Sequence, residues 1–183
     1  YVCYGAEGLS VTDERRYAML VLDSVLGGCM SSRLFQEIRE KRGLVYSVYG
    51  YFRPYEDVGQ GVIYAGADVK RVPEAFGAIC GELARLRDEG VPLDELDRTK
   101  ELRKGRLLMG LEDSRSMASW VGSQELVYGE ILTPEEVTAK IEAVTAEQGH
   151  GLSKELFRTD MLNLALIGPF PDDTPFRNVL TLN

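Results

Sequence analysis

The apolar positions of this 183-residue chain change their spacing several times, and each change marks a predicted element. Between Val11 and Leu26 they fall at Ala18, Val21, Leu22, Val25 and Leu26, the i, i+3, i+4, i+7, i+8 pattern of a helix with one buried face. Thr12, followed by Asp13 and Glu14, is expected to cap and charge its start, and Gly27-Gly28 to end it. A second helix is predicted from about Ser32 to Lys41. It buries Leu34, Phe35 and Ile38, exposes Arg33, Glu37, Glu40 and Lys41, and stops at Gly43. The period then drops to two. Leu44 to Arg53 is rich in Tyr, Val and Phe, Pro54 to Asp57 reads as a turn, and Val58 to Asp68 forms a second run, together an antiparallel hairpin. Gly50, Gly59, Gly61 and Gly66 inside these runs point to bulges or close backbone approach.

Further along, Pro73 suits a first helical turn, and Phe76, Ile79, Cys80, Leu83 and Leu86 make the stripe of a helix reaching Glu89. After Gly90-Val91-Pro92, Asp94 is expected to cap a long charged helix to about Leu111. The next helix, about Ser114 to Tyr128, carries Met117, Trp120, Val121 and Leu126. Thr133-Pro134-Glu135-Glu136 is a capping box opening a helix from Pro134 to Val144. Thr145 to Gln148 repeats the box, but Gly149-His150-Gly151 is expected to interrupt the helix it would open. Tyr1 to Ala6 and Met161 to Gly168 read as outer strands, and the tail through Pro169, Pro171 and Pro175 as irregular. Strands split by a block of helices predict a single α+β domain over residues 1–183. Its sheet is largely antiparallel, with helices packed mainly on one face.

Composition narrows the partners. A hydrophobic fraction of 44% and a charged fraction of 27% suit a globular domain with a real core. A net charge of -8 argues against nucleic acid, which needs a basic footprint. No apolar run reaches the roughly 20 residues of a membrane span. Cys3, Cys29 and Cys80 are an odd, widely spaced set without C-x-x-C. They read as small buried hydrophobes in a reducing compartment, so a cytoplasmic location is expected. The opening YVCYGAEG has no initiator Met and no basic leader, and reads as a segment of something longer.

A single histidine, His150, leaves little with which to build a metal site, and neither H-E-x-x-H nor H-x-x-E-H can occur. Set between two glycines, it is expected to be an ordinary exposed loop residue. No family signature surrounds any Ser or Cys that could use it as a base. Glu95, Asp97, Glu101, Glu112 and Asp113, interleaved with Arg98, Lys100, Arg103, Lys104 and Arg106, read as a solvated helix face with i,i+4 pairs. That leaves Arg39 and Tyr46, seven residues apart across Gly43. A guanidinium ending a helix and a phenol starting a strand can converge on one point if the chain reverses tightly between them. The plainer alternative pairs Arg39 with Glu40 or another carboxylate and packs Tyr46 in the sheet.

The stretch LGGCMSSRLFQEIREKRGLVYSV, from Leu26 to Val48, strongly resembles the insulinase, pitrilysin and mitochondrial processing peptidase family of zinc peptidases, in its second, non-zinc-binding half. The likeness extends through DERRYAMLVLDSVLGG, the hairpin ending in YAGAD, DELDRTKELRKGRLLMGLEDS, LTPEEVTAKIEAVT and LALIGPF. It departs at Cys29, where such chains often have another glycine, and at Gly149-His150-Gly151, where a helix usually continues. The resemblance implies two similar α+β halves facing across a cavity, as one chain or as separate subunits. One half carries zinc on an inverted H-x-x-E-H motif. The other lends an arginine and a tyrosine, at a spacing matching Arg39 and Tyr46, to an extended peptide substrate at that metal. It implies no cofactor in this chain, zinc in the partner half, and no hydrolysis by this half alone. Family members also serve as structural core proteins of a respiratory complex, so a non-catalytic scaffold or peptide-binding role is the alternative.

Overall fold

The computed structural model describes residues 1–172, 174–177 and 180–182. Among them, four strands, β1 (Val2–Gly8), β2 (Ser47–Pro54), β3 (Gly59–Gly66) and β4 (Asn163–Leu166), form an antiparallel sheet in the order β2-β3-β1-β4. The predicted hairpin is β2-β3, closed by Tyr55 N–H donating to the Val58 carbonyl at 2.7 Å. The last strand is shorter than the run from Met161 to Gly168, because only Asn163 to Leu166 have β1 partners. Helices α1 (Arg16–Leu26), α2 (Val72–Glu89), α3 (Leu93–Gly110), α4 (Ser114–Tyr128), α5 (Pro134–Glu142), α6 (Ala146–Leu156) and a short α7 (Thr174–Arg177) join a π-helix over Leu34–Lys41 and two 3-10 turns, Val69–Arg71 and Thr159–Met161. The tail, expected to be irregular, thus contains one helical turn.

The two faces of the sheet differ in burial. Val2, Tyr4, Ile63, Ala65 and Val48 point into one apolar core with Leu22, Leu26, Leu34, Ile38, Phe76, Ile79, Leu83 and Leu86. In the intervening positions, register aligns Tyr49, Tyr64 and Cys3 in one row and Tyr51, Val62 and Gly5 in the next. These remain half-buried or exposed. The helices therefore cover one face, as the α+β reading requires.

α1 joins that core through a contact only glycine allows. A Cβ on Gly27 would lie 2.3 Å from the Gly50 backbone nitrogen. Gly50 N–H instead donates to the Gly27 carbonyl at 3.2 Å, so the end of α1 touches β2 backbone to backbone.

Several local expectations are corrected. α1 begins at Arg16, and Asp13, not Thr12, organises its entry by accepting the Arg15 N–H at 2.8 Å. α3 begins at Leu93 behind Pro92, so Asp94 lies in its first turn and pairs with Arg98 at 2.8 Å. α6 runs straight through Gly149-His150-Gly151. Its Thr145/Gln148 capping box outweighs two poor helix formers, and Gly149 sits close against Leu22 of α1. His150 is consequently half-buried, with Nε2 donating to the Arg87 carbonyl at 2.9 Å, while the Ser153 hydroxyl reaches the Leu86 carbonyl at 3.2 Å. Two α6 side chains thus satisfy terminal carbonyls of α2. Of the three cysteines only Cys80 is buried; Cys3 lies on the open sheet face and Cys29 in the turn after α1, both half-buried.

The long charged helix is also less solvated than its sequence suggests. Lys100 is buried and donates to the Glu142 carbonyl at 2.8 Å, Arg103 pairs with Asp23, and Arg106 donates to the Gly28 carbonyl at 2.9 Å. Asp113 serves as the N-cap of α4. α4 in turn shows its apolar side chains to the outside, with Leu126 88% exposed and only Gln124 of the helix buried.

Gly27→Ala is expected to destabilise the chain by more than about 2 kcal/mol, since the clash is with backbone and the strand must shift. Urea denaturation of the variant beside wild type measures it.

Candidate functional site

The segment from Gly27 to Val48 is positioned from both ends. At its start the Gly27 contact fixes it to β2. Arg33, with a side chain only 9% exposed, then forks onto Glu95 at 2.7 Å and 3.1 Å and donates to the Gly90 carbonyl at 3.0 Å. This ties the entry of the π-helix to the α2–α3 connection. Where the spacing predicts an α-helix, the chain winds wider, with Leu34 and Ile38 still buried and Phe35 half-buried. At its end Gly43 takes φ +56° and exposes its carbonyl to Arg71 at 2.8 Å, and Leu44 N–H closes back on the Ile38 carbonyl at 3.0 Å. Leu44 and Val45 then enter the core.

Arg39 occupies the last turn of the π-helix and is 43% exposed. Its guanidinium stacks over the Phe35 ring at 4.8 Å and lies 3.8 Å from Glu40. The Glu40 contact is the plainer reading of this arginine; it is long and exposed, and such pairs contribute little. With its side chain 43% exposed, the guanidinium remains open to solvent.

Tyr46 does not pack in the sheet interior. It stands just before β2, with its N–H donated to the Gly66 carbonyl at 2.9 Å and its side chain 60% exposed. Its ring lies over Gly66, whose side-chain direction, by register, is that of Tyr64. The phenol therefore sits on the open face of the sheet. There the Tyr64 ring stacks with Tyr49 at 4.9 Å and Tyr1 at 5.9 Å, and Tyr49 with Tyr51 at 6.3 Å. A hydrogen bond with Tyr1 pushes the Tyr46 phenol above its ordinary range, and burial pushes Tyr64 the same way. Both remain protonated donors at neutral pH. The sequence reading misses this tyrosine surface; strict alternation of Tyr49, Tyr51 and Tyr64 with buried neighbours is the signal that could reveal it.

Metal chemistry has no home in these side chains. A ring nitrogen of His150 is already committed to the Arg87 carbonyl, and Cys80 is a buried thiol pushed up to about 11 by desolvation. Among the described residues no three His, Cys, Asp or Glu side chains come together. The described residues do not fit a zinc site. Elsewhere, a cleft of about 660 Å³ between α1, α4 and α5, lined by Tyr17, Trp120 and Tyr128, shares no residue with the Arg39–Tyr46 corner. No helix among the described residues is long and apolar enough to cross a membrane.

The family model of the peptidase M16 inactive domain matches residues 1–103. This chain belongs to that family. It is 43% identical over 169 residues to an uncharacterized zinc protease of Bacillus subtilis, covering 92% of this chain and 41% of that protein. An uncharacterized zinc protease of Streptomyces coelicolor is 38% identical over 172 residues, covering 94% and 37%. The chain thus spans about two fifths of the curated relatives it matches. Among solved structures, the M16 inactive domain from Pseudomonas fluorescens superposes with TM-score 0.79 at 21% identity, over 89% of this chain and 40% of that one. A chain of complex III2 from Candida albicans gives TM-score 0.80 at 20% identity, over 98% and 46%. These two likenesses establish the fold of the inactive domain.

The anchoring of this segment sets two expectations. Arg33→Ala should cost about 3–5 kcal/mol in chemical denaturation, because it strands a partly buried carboxylate. Glu82 of α2, beneath the π-helix and facing Arg85, Glu37, Arg33 and Arg42, has its carboxyl pushed up by burial. A raised carboxyl leaves stability fully present below the unfolded value and loses it as pH rises through the folded one. Glu82→Gln should therefore stabilise the fold at neutral pH, with the gain vanishing in melts taken below the ordinary carboxylate range.

Proposed function

We propose that this M16 inactive domain forms one wall of a substrate chamber and lends Arg39 and Tyr46 to peptide hydrolysis carried out with a zinc-bearing half. The observation that carries this reading is the placement of two charged or polar donors on either side of the Gly43 turn. Both are exposed, and neither is consumed by a strong partner among the described residues. The zinc that the relatives' names attach to whole proteins belongs, in this reading, to the other half. This chain acts on the substrate only.

The division of labour reflects the groups themselves. As a peptide bond is attacked, negative charge grows on its carbonyl oxygen, and a neutral phenol is a donor that loses no proton in meeting it. Tyr46, like any phenol, is neutral at pH 7, and its neighbour Tyr1 raises its pKa further. Arg39, held by Phe35 rather than by a carboxylate fork, can grip a neighbouring peptide carbonyl and fix the register of an extended chain. The open sheet face beside Tyr46 gives such a chain a surface to lie along.

The test uses the complete protein, or this domain mixed with its zinc-bearing half, and a quenched extended peptide. This domain alone should leave the peptide intact. Tyr46→Phe should lower kcat by about 10²–10³, and Arg39→Ala should lower kcat/KM with a raised KM. Full activity in both variants would move the domain to the alternative, a scaffold or peptide-binding subunit without a part in the chemistry.

A further inference from the structure

Tyr46 can lie where it does only because residue 66 has no side chain. The backbone ties the two residues together through the Tyr46 N–H and the Gly66 carbonyl, 2.9 Å apart. The ring then folds down onto the Gly66 Cα. A Cβ built on Gly66 would stand 2.5 Å from both Cε2 and Cζ of the tyrosine and 2.7 Å from its hydroxyl oxygen, and these are its three nearest neighbours. Gly66 does not have positive φ, so the backbone would accept alanine. The obstacle is the ring, and specifically its hydroxyl-bearing edge.

From this contact we infer that Gly66 is a positioning residue for the Tyr46 phenol: it is the floor that sets the height of the hydroxyl above the open sheet face and within reach of Tyr1. The inference rests on the reading of Tyr46 as a substrate donor and adds to it a second, non-contacting residue on another strand. Relieving the overlap requires the ring edge to rise by about 1 Å. A misplacement of that size in a catalytic group can cost about 10²-fold in rate.

The experiment is a double-mutant cycle in the complete protein, with the same quenched peptide. Gly66→Ala is expected to lower kcat by about 10²-fold with KM little changed. In a Tyr46→Phe background the additional loss from Gly66→Ala should shrink to within about two-fold, because the hydroxyl it displaces is gone. A second readout does not involve activity. In protein labelled with ¹³C at tyrosine Cζ, the Tyr46 resonance should titrate above an ordinary phenol in wild type and move back toward it in Gly66→Ala. If Gly66→Ala folds poorly, its melting temperature should recover when Tyr46→Ala is added, since the missing ring leaves room for the methyl.

Gly66→Ala with full activity beside an impaired Tyr46→Phe would overturn the positioning role. So would an equal loss from Gly66→Ala in both backgrounds, which marks general damage. A Tyr46 without a part in catalysis shows separately, as an unimpaired Tyr46→Phe. In that case the tyrosine titration and the melting cycle alone decide whether Gly66 holds the ring, and an unshifted titration with no recovery would sink the inference.

Discussion

The whole corner that carries Arg39 and Tyr46 depends on a backbone-to-backbone contact between Gly27 and Gly50. A helix normally meets a sheet through two layers of side chains. Here the C-terminus of α1 is drawn in until the Gly27 carbonyl accepts the Gly50 N–H, an approach that any side chain at residue 27 would block. The chain leaving α1 is thereby pinned to β2 before it makes the next turn. The π-helix beyond it is seated against β2 and α2, with Leu34 and Ile38 sealed in the core. Its exit through Gly43 delivers Tyr46 back to the start of the strand it began from. The loop of chain is closed on β2 at both ends, so its two outward groups ride on rigid structure and not on a free loop.

The second constraint is the one-sidedness of the sheet. Helices supply apolar cover to Val2, Tyr4, Val48, Ile63 and Ala65, and the opposite face is left to tyrosines. Tyrosine suits that position because its ring packs on neighbours while its hydroxyl stays wet. The result is a face that is neither a core nor ordinary solvent-exposed surface. Stacked phenols offer flat contacts and donors without charge, the kind of surface the proposed extended peptide would lie against. Beside this face the π-helix ends on Arg39, Lys41 and Arg42, and Arg71 reaches the Gly43 carbonyl; among the described residues Arg39 has only the long ion pair with Glu40 at 3.8 Å.

Much of this is legible in the sequence. The hairpin, the helix stripes, both capping boxes and the glycine stop at Gly43 are local signals, and each survives in the fold. The departures are decided by tertiary contact. Gly149 has the character of a helix breaker, yet it is a point of close approach to Leu22. His150 has the setting of an exposed loop residue, yet it is bonded to α2. The cations of α3 have the spacing of surface pairs, and nothing in that spacing reveals that Asp23, Gly28 and Glu142 lie across from three of them. Arg39 and Tyr46 are visible through the family resemblance and the turn between them. Gly66 is visible only as a glycine in a strand, because the ring it supports arrives from a distant residue on the other side of the hairpin.

The buried polar ties serve registry more than raw stability. Asp23 is raised by burial even with the Arg103 guanidinium on it, so desolvation outweighs the pair. An apolar substitute of equal volume on both sides could hold the helices together as firmly. It could not specify where along α1 the third helix must stop. Arg103 on Asp23 and Arg106 on the Gly28 carbonyl fix α3 against the last turn of α1, and Arg33 on Glu95 fixes the π-helix against the start of α3. Three elements thus converge on the short stretch from Asp23 to Arg33, immediately upstream of the residues proposed to meet substrate. Slippage of α3 by one residue would shift these anchors by about 1.5 Å along its axis. For a donor in the proposed role a shift of that size would be costly, which would give the buried charge a reason to be where it is.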